Sequence, residues 1–296
     1  MRLILHILLH IQTWGGIGDV LRELAFLPLE TWQKRYGAKI HVWHWQAVKG
    51  QFHPEASVPT ADIIADLLRR WPGVEFCEGT APRGTKVFCK GLRRGLEFMG
   101  GGRKLFAPPL QWLPEDALPS SWSKEYRNIV VQPHLIGLPS KRWEAERWRE
   151  ILGRFSERLD DGCRLHVLDP GGAVLVGCGA VVHDGLSLPQ AIRMVSEADA
   201  LIAVDSWSKY VAGWQEIPQF IIVPDQRGDY PQLTAESVWR HSFRGLHWNP
   251  KLRMLGLERK PRPHYTMGTM DTLEPERLWR ELSAWAEEIG LFRSSH

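Results

Sequence analysis

Three short stretches of this chain combine carboxylate, hydroxyl or ammonium groups with the glycines and strand ends that bring such groups to a ligand. The first is Trp14-Gly15-Gly16-Ile17-Gly18-Asp19, which follows a long apolar run. Its glycines let the backbone approach a bound group closely, and Asp19 falls at the cap or first turn of a following helix. A carboxylate there either caps the helix or acts as a general base toward a substrate hydroxyl. The turn is not the dinucleotide fingerprint, because Leu21 stands where its third glycine would be. The second stretch, Pro139-Ser140-Lys141-Arg142-Trp143, sets two cations before a helix. They are either a solvated pair or a compact positive site for a phosphate, with Lys141 as the point charge. In the third, Ala203-Val204-Asp205-Ser206-Trp207-Ser208-Lys209, an apolar strand runs straight into a helix. Its hydroxyls and free amides suit an anion, although Asp205 also serves as a plain cap.

Such loops need strands and helices to hold them, and the hydropathy pattern supplies both. The continuous apolar run Leu3–Ile11 reads as a strand covered on both faces, and Lys39–Trp45, Asn128–Gln132, Arg164–Leu168, Ala200–Val204 and Gln219–Val223 read as further strands. Short strands are expected near Val74–Cys77, Thr85–Cys89 and Val181–His183. Helical periodicity follows the strands at Asp19–Leu27, Thr60–Trp71, Glu144–Leu159, Leu188–Glu197 and Ser206–Trp214, and a terminal amphipathic helix covers Glu274–Leu291. This alternation predicts parallel sheets flanked by helices, with the three loops at the carboxyl ends of strands where such folds bind ligands. Between Gly91 and Lys124 the periodicity gives way to Gly100-Gly101-Gly102, Pro108-Pro109, Pro114 and Pro119, so the chain divides near residue 122.

Composition narrows the function classes. The chain has 296 residues, 44% hydrophobic and 24% charged, with a formal net charge of +3. Disorder and disulfide scaffolds are excluded, and no polyanionic partner is demanded. The cysteines, Cys77, Cys89, Cys163 and Cys178, have no metal-ligand spacing and read as buried thiols of a reducing compartment. None of the 12 histidines pairs with a carboxylate at metal-binding spacing, so no metal or cofactor is expected. The amino-terminal run is interrupted by His6 and His10 and reads as a strand rather than a signal segment. With no stretch reaching roughly 18 apolar residues, a cytoplasmic location is expected. Fifteen tryptophans leave Trp14, Trp143 and Trp207 in the three loops, where an indole suits stacking on a sugar or base. The basic loop Arg259-Lys260-Pro261-Arg262-Pro263-His264 is either solvated or in contact with an anionic acceptor.

Taken in order, the loops resemble glycosyltransferase family 9, which includes the ADP-heptose lipopolysaccharide heptosyltransferases. Gly18-Asp19-Val20-Leu21 looks like that family's early glycine-aspartate turn, and Lys141-Arg142-Trp143 like its midchain Lys-x-Trp. Ser187-Leu188 through Ala198-Asp199, followed by Val204-Asp205-Ser206, looks like its late signature. Trp207 replaces that signature's glycine and Lys209 its histidine. The resemblance implies an α/β fold of GT-B type, two Rossmann-like lobes with parallel sheets facing a central cleft. Residues 1–122 would take the acceptor, residues 123–272 the sugar nucleotide, and a terminal helix in 273–296 would brace the first lobe. It implies inverting, metal-independent transfer of a hexosyl or heptosyl group, with Asp19 as base and Lys141 stabilising the departing diphosphate. Asp205, Ser206, Trp207, Ser208 and Lys209 would bind the donor, with Asp184 as the candidate for its ribose. Trp14, Gly15, Gly16 and Gly18 would face the acceptor, a glycan or lipopolysaccharide. No Asp-x-Asp metal motif occurs in the sequence. Two other readings stay open: a nucleotide-binding or scaffold protein without transfer, and a transferase acting on modified DNA.

Overall fold

A computed structural model describes residues 8–14, 17–25, 33, 34, 37, 39–45, 60–83, 86, 87, 118–133, 143–169, 177–223, 252–255, 258, 259, 265, 266, 270 and 273–293. The chain forms two compact units, Met1–Ala117 and Leu118–His296, so the division falls five residues before the expected position.

In the first unit, β1 (Leu8–Trp14) is flanked by β2 (Lys39–Trp45) on one side and β4 (Lys86–Val87) on the other, with β3 (Val74–Phe76) beyond β2. Every pairing is parallel. Helix α1 (Ile17–Ala25) follows β1 directly and buries Val20, Leu21 and Leu24, one face of a 3.6-residue repeat. Helix α2 (Thr60–Arg70) buries Ile64, Leu67 and Leu68 in the same way. It stops at Trp71-Pro72-Gly73, where Gly73 takes φ +79° and a Cβ would lie 2.5 Å from the Gln33 side chain. Only glycine meets both conditions.

The second unit holds a six-stranded, all-parallel sheet in the order β10-β9-β8-β5-β6-β7. Its strands are β5 (Arg127–Gln132), β6 (Cys163–Leu168), β7 (Val181–His183), β8 (Ala200–Val204), β9 (Gln219–Ile222) and β10 (Leu252–Leu255). Strand β10 escaped the sequence reading because a four-residue edge strand gives too short an alternation to register. A small antiparallel pair, β11 (Glu258–Arg259) and β12 (Tyr265–Thr266), also flanks the segment read as a basic loop.

The two faces of this sheet differ. Alternate residues Ile129, Val131, Leu165, Val167, Ile202, Val204, Phe220 and Ile222 share one apolar core with α3 (Ala145–Arg158) and α6 (Pro275–Glu288). Helix α3 contributes Trp148, Ile151, Leu152 and Phe155, and α6 contributes Leu278, Leu282, Trp285 and Ala286. The terminal helix, expected to brace the first lobe, is thus itself part of the second unit's core. Arg127 at the start of β5 donates to the Gly290 carbonyl at 2.5 Å, tying down the end of α6. Arg154 bonds Glu276 and lies 4.4 Å from the Trp279 ring. The opposite face carries Asn128, Gln132 and His166, all buried. Helices α4 (Leu188–Ser196) and α5 (Ser208–Trp214) belong to the same unit; Ser187 caps α4 in a capping box with Gln190.

Candidate nucleotide site

Strand order locates the site. Connections run from β5 outward to β6 and β7, and β8, β9 and β10 build the other half, so the winding reverses between β5 and β8. In doubly wound sheets this switch point opens a crevice at the carboxyl ends of the two strands. Those ends are Gln132 on β5 and Val204 on β8, neighbours through the Gln132 and Ala203 pairing.

Strand β8 is buried along its whole length, as a central strand of a covered sheet must be, and delivers Asp205, Ser206 and Trp207 to the start of α5. The Asp205 amide donates to the Ile222 carbonyl at 2.8 Å, fixing this loop to β9. The Asp205 carboxylate forms an ion pair with Lys209 one helical turn on, and both side chains are only 3% exposed. The ammonium also lies 4.8 Å from the Tyr210 ring. The loop's charges therefore cancel.

Polar atoms around this pair are left unsatisfied. Ser206 Oγ, Ser208 Oγ and Gln132 Oε1 are buried and have no hydrogen-bond partner among the described residues. An unmet buried polar group costs about 1–3 kcal/mol, so folded proteins keep few of them. Three at a sheet's switch point form a set of two potential donors and one acceptor, suited to phosphate oxygens and to a hydroxyl or amine. Helix α5 adds little field of its own, since it has only seven residues.

One acidic residue escaped the sequence reading. Asp169 immediately follows β6, next to β5 in the sheet, and is fully buried. Its amide donates to the His183 carbonyl at 3.0 Å. The available signal was an acid directly after an apolar strand and before Pro170-Gly171-Gly172. Gln132 was missed as well, because a glutamine at a strand end has no motif.

The structure thus brings Asp205, Ser206, Ser208 and Lys209 together beside Gln132. Asp184 stands apart, exposed beyond the edge strand β7. Trp207 is 8% exposed and Trp143 6%, so little of either indole is open for stacking. Trp143 packs edge-on against Trp148 at 5.3 Å, inside the core. In the first unit, Trp14 ends β1 and Gly18 and Asp19 lie in the first turn of α1, placed by their backbone at the carboxyl end of the central strand. Gly15, Gly16 and Lys141 lie outside the described residues, as do residues 260–264 of the basic loop. Cys178 is buried, but Cys77 and Cys163 are only half-buried, short of the four buried thiols expected; Cys89 is outside the described residues. Among the described residues no three His, Cys, Asp or Glu side chains cluster as metal ligands, and no helix is long and apolar enough to cross a membrane.

Comparison with solved structures supports the architecture. Over 94% of this chain and 97% of its own, the glycosyl transferase family 9 protein from Veillonella parvula is similar at 14% identity and a TM-score of 0.51. The E. coli heptosyltransferase WaaC with ADP-2-deoxy-2-fluoro heptose matches 93% of this chain and 99% of its own, at 15% identity and a TM-score of 0.51. The iron-containing dodecameric glycosyltransferase TibC from enterotoxigenic E. coli matches 97% and 77%, at 13% identity and 0.52. No protein-family model and no curated protein matches the sequence. The chain has the two-lobed α/β fold of GT-B type, each lobe built on a parallel sheet with surrounding helices.

Proposed function

We propose that this protein is an inverting glycosyltransferase related to family 9, taking a sugar from a nucleoside-diphosphate donor held by the second unit. The observation that carries this reading is the set of buried, unsatisfied polar atoms of Gln132, Ser206 and Ser208 at the switch point of a doubly wound sheet. Ser206 and Ser208 donate to the diphosphate. Asp169 rather than Asp184 accepts from the ribose hydroxyls, as an acid at the end of the second strand does in nucleotide-binding sheets of this order. Gln132 Oε1 accepts from a donor hydroxyl or amine.

In the reaction, Asp19 removes the proton from the acceptor hydroxyl as that oxygen attacks the anomeric carbon. The new glycosidic bond forms on the face opposite the departing diphosphate, and the bond to that diphosphate breaks. Lys141 and the two serine hydroxyls stabilise the charge that accumulates on it, without a metal ion. The acceptor, on this reading, is a glycan or lipopolysaccharide hydroxyl.

The buried Asp205 and Lys209 pair favours a second reading, a nucleotide binder without transfer, because it removes a free cation from the loop. A thermal-shift panel of nucleoside diphosphates, with product detection alongside, tests both. A cognate nucleotide at 100 times its Kd should stabilise the fold by about 2.7 kcal/mol. Transfer to an acceptor selects the first reading, and binding with the donor left intact selects the second. No shift with any nucleotide would contradict both.

A further inference from the structure

A second polar cluster crosses the same sheet and takes no part in the reading above. His166 on β6 and His183 on β7 are buried, with His166 Nδ1 3.0 Å from His183 Nε2 and His166 Nε2 3.0 Å from Asn128 Oδ1. Asn128 fixes the proton positions. Its amide nitrogen donates to the carbonyls of Ser123 at 2.9 Å and Tyr126 at 3.0 Å, which leaves Oδ1 as the acceptor facing the ring. His166 therefore carries its proton on Nε2, and its bare Nδ1 accepts from His183 Nε2–H. Trp122 covers the His166 ring at 4.9 Å.

With this proton placement a proton on His166 Nδ1 would meet the His183 N–H, so charging the pair forces His183 into its other tautomer and leaves a cation in a buried site. Burial, the neighbouring His183 and Arg164 together lower the His166 value to about 4. Burial also lowers His183, against a smaller opposing pull from Asp184. The other charged groups nearby are Asp169, whose backbone N–H donates to the His183 carbonyl, and Asp199, whose carboxylate accepts from the Asn128 backbone N–H at 2.7 Å.

The cluster reaches the nucleotide site by one short step. Strand β7 has three residues and lies at the sheet edge, with His183 opposite Leu168, and the His183 carbonyl accepts the Asp169 amide. We propose that His166 and His183 are positioning residues for Asp169, holding the end of β7 and the Asp169 backbone in place only while both rings are neutral. Acidification then weakens nucleotide binding from the β7 edge of the sheet. This inference rests on the reading of Asp169 as the ribose contact.

The sign follows from linkage. The folded value lies below that of a free imidazole, so opening binds protons: protection is complete above pH 6.5 and is lost as pH falls toward 4. For one such histidine, opening becomes about thirtyfold easier by pH 5. The test follows hydrogen exchange at the Asp169 amide, corrected for intrinsic rate, and ADP affinity from pH 7.5 to 5 in the full chain. Wild type should lose roughly tenfold or more of its Asp169 protection, and its ADP affinity should fall in the same direction. The His166→Gln, His183→Gln double variant should stay within about threefold across the range, because neither amide takes up a proton and the two can still hydrogen-bond each other. Asp169 protection that persists to pH 5 in wild type, or that falls as steeply in the double variant, would overturn the proposal. Should the variant fail to fold, the wild-type exchange profile decides alone. Protection that falls as described while no nucleoside diphosphate binds at any pH would sustain the positioning role and reject the nucleotide reading.

Discussion

Asp19→Asn should abolish sugar transfer, with kcat reduced at least 10²–10⁴-fold, roughly the contribution of a positioned general base. Nucleoside-diphosphate affinity should remain within about threefold, because the base acts on the acceptor hydroxyl and not on the donor. The same residue has a structural role that must be separated from this one. Asp19 lies in the first turn of α1, where a negative charge contributes about 0.3–1 kcal/mol against the helix dipole. Asparagine keeps the side chain's size and its acceptor oxygen, so the melting temperature should move by only a few degrees. A variant that folds, binds nucleotide and transfers nothing identifies a base. Transfer at the wild-type rate would remove Asp19 from the mechanism.

Lys209→Met should be the most damaging single change to the second unit's loop, costing about 3–5 kcal/mol of stability. The ammonium it removes is the partner of the Asp205 carboxylate, and both are enclosed between β8 and α5. Stranding one buried charge costs far more than deleting a pair, so Asp205→Asn combined with Lys209→Met should recover a large part of the loss. Urea unfolding of the two single variants and the double variant measures this directly. The coupling should change little between low and high salt, because enclosed charges are poorly screened. A Lys209→Met protein as stable as wild type would show that the pair is open to water and that Lys209 is available to a ligand.

The elements that position the site could be read from the sequence where burial is two-sided or strongly periodic. Ile129–Val131 and Ala200–Val204 are apolar at every position because helices cover both faces of a parallel sheet. The terminal helix showed its apolar stripe at Leu278, Leu282 and Trp285, but not which surface would receive it. That depends on Trp148, Phe155 and Phe220 meeting it in three dimensions. The third loop was recognised as polar, yet its charge state was not. Asp205 and Lys209 stand four apart, and only the one-turn geometry of α5 shows that each neutralises the other. Asp169 and the His166 and His183 pair were illegible for a related reason. Strand register creates their partnerships, between residues 14 and 17 positions apart, and no local pattern encodes register across an edge.

The central claim is that the switch point between β5 and β8 binds the diphosphate end of a sugar nucleotide. Titration calorimetry tests it most directly, comparing wild type with Ser206→Ala, Ser208→Ala and the double variant against the nucleoside diphosphate that gives the largest thermal shift. The account predicts one nucleotide per chain, a roughly tenfold loss of affinity for each serine removed, in line with a charge-assisted hydrogen bond, and no loss of stability in the free protein. Nucleotide bound by wild type and by the double variant with the same affinity would place the ligand elsewhere and contradict the account.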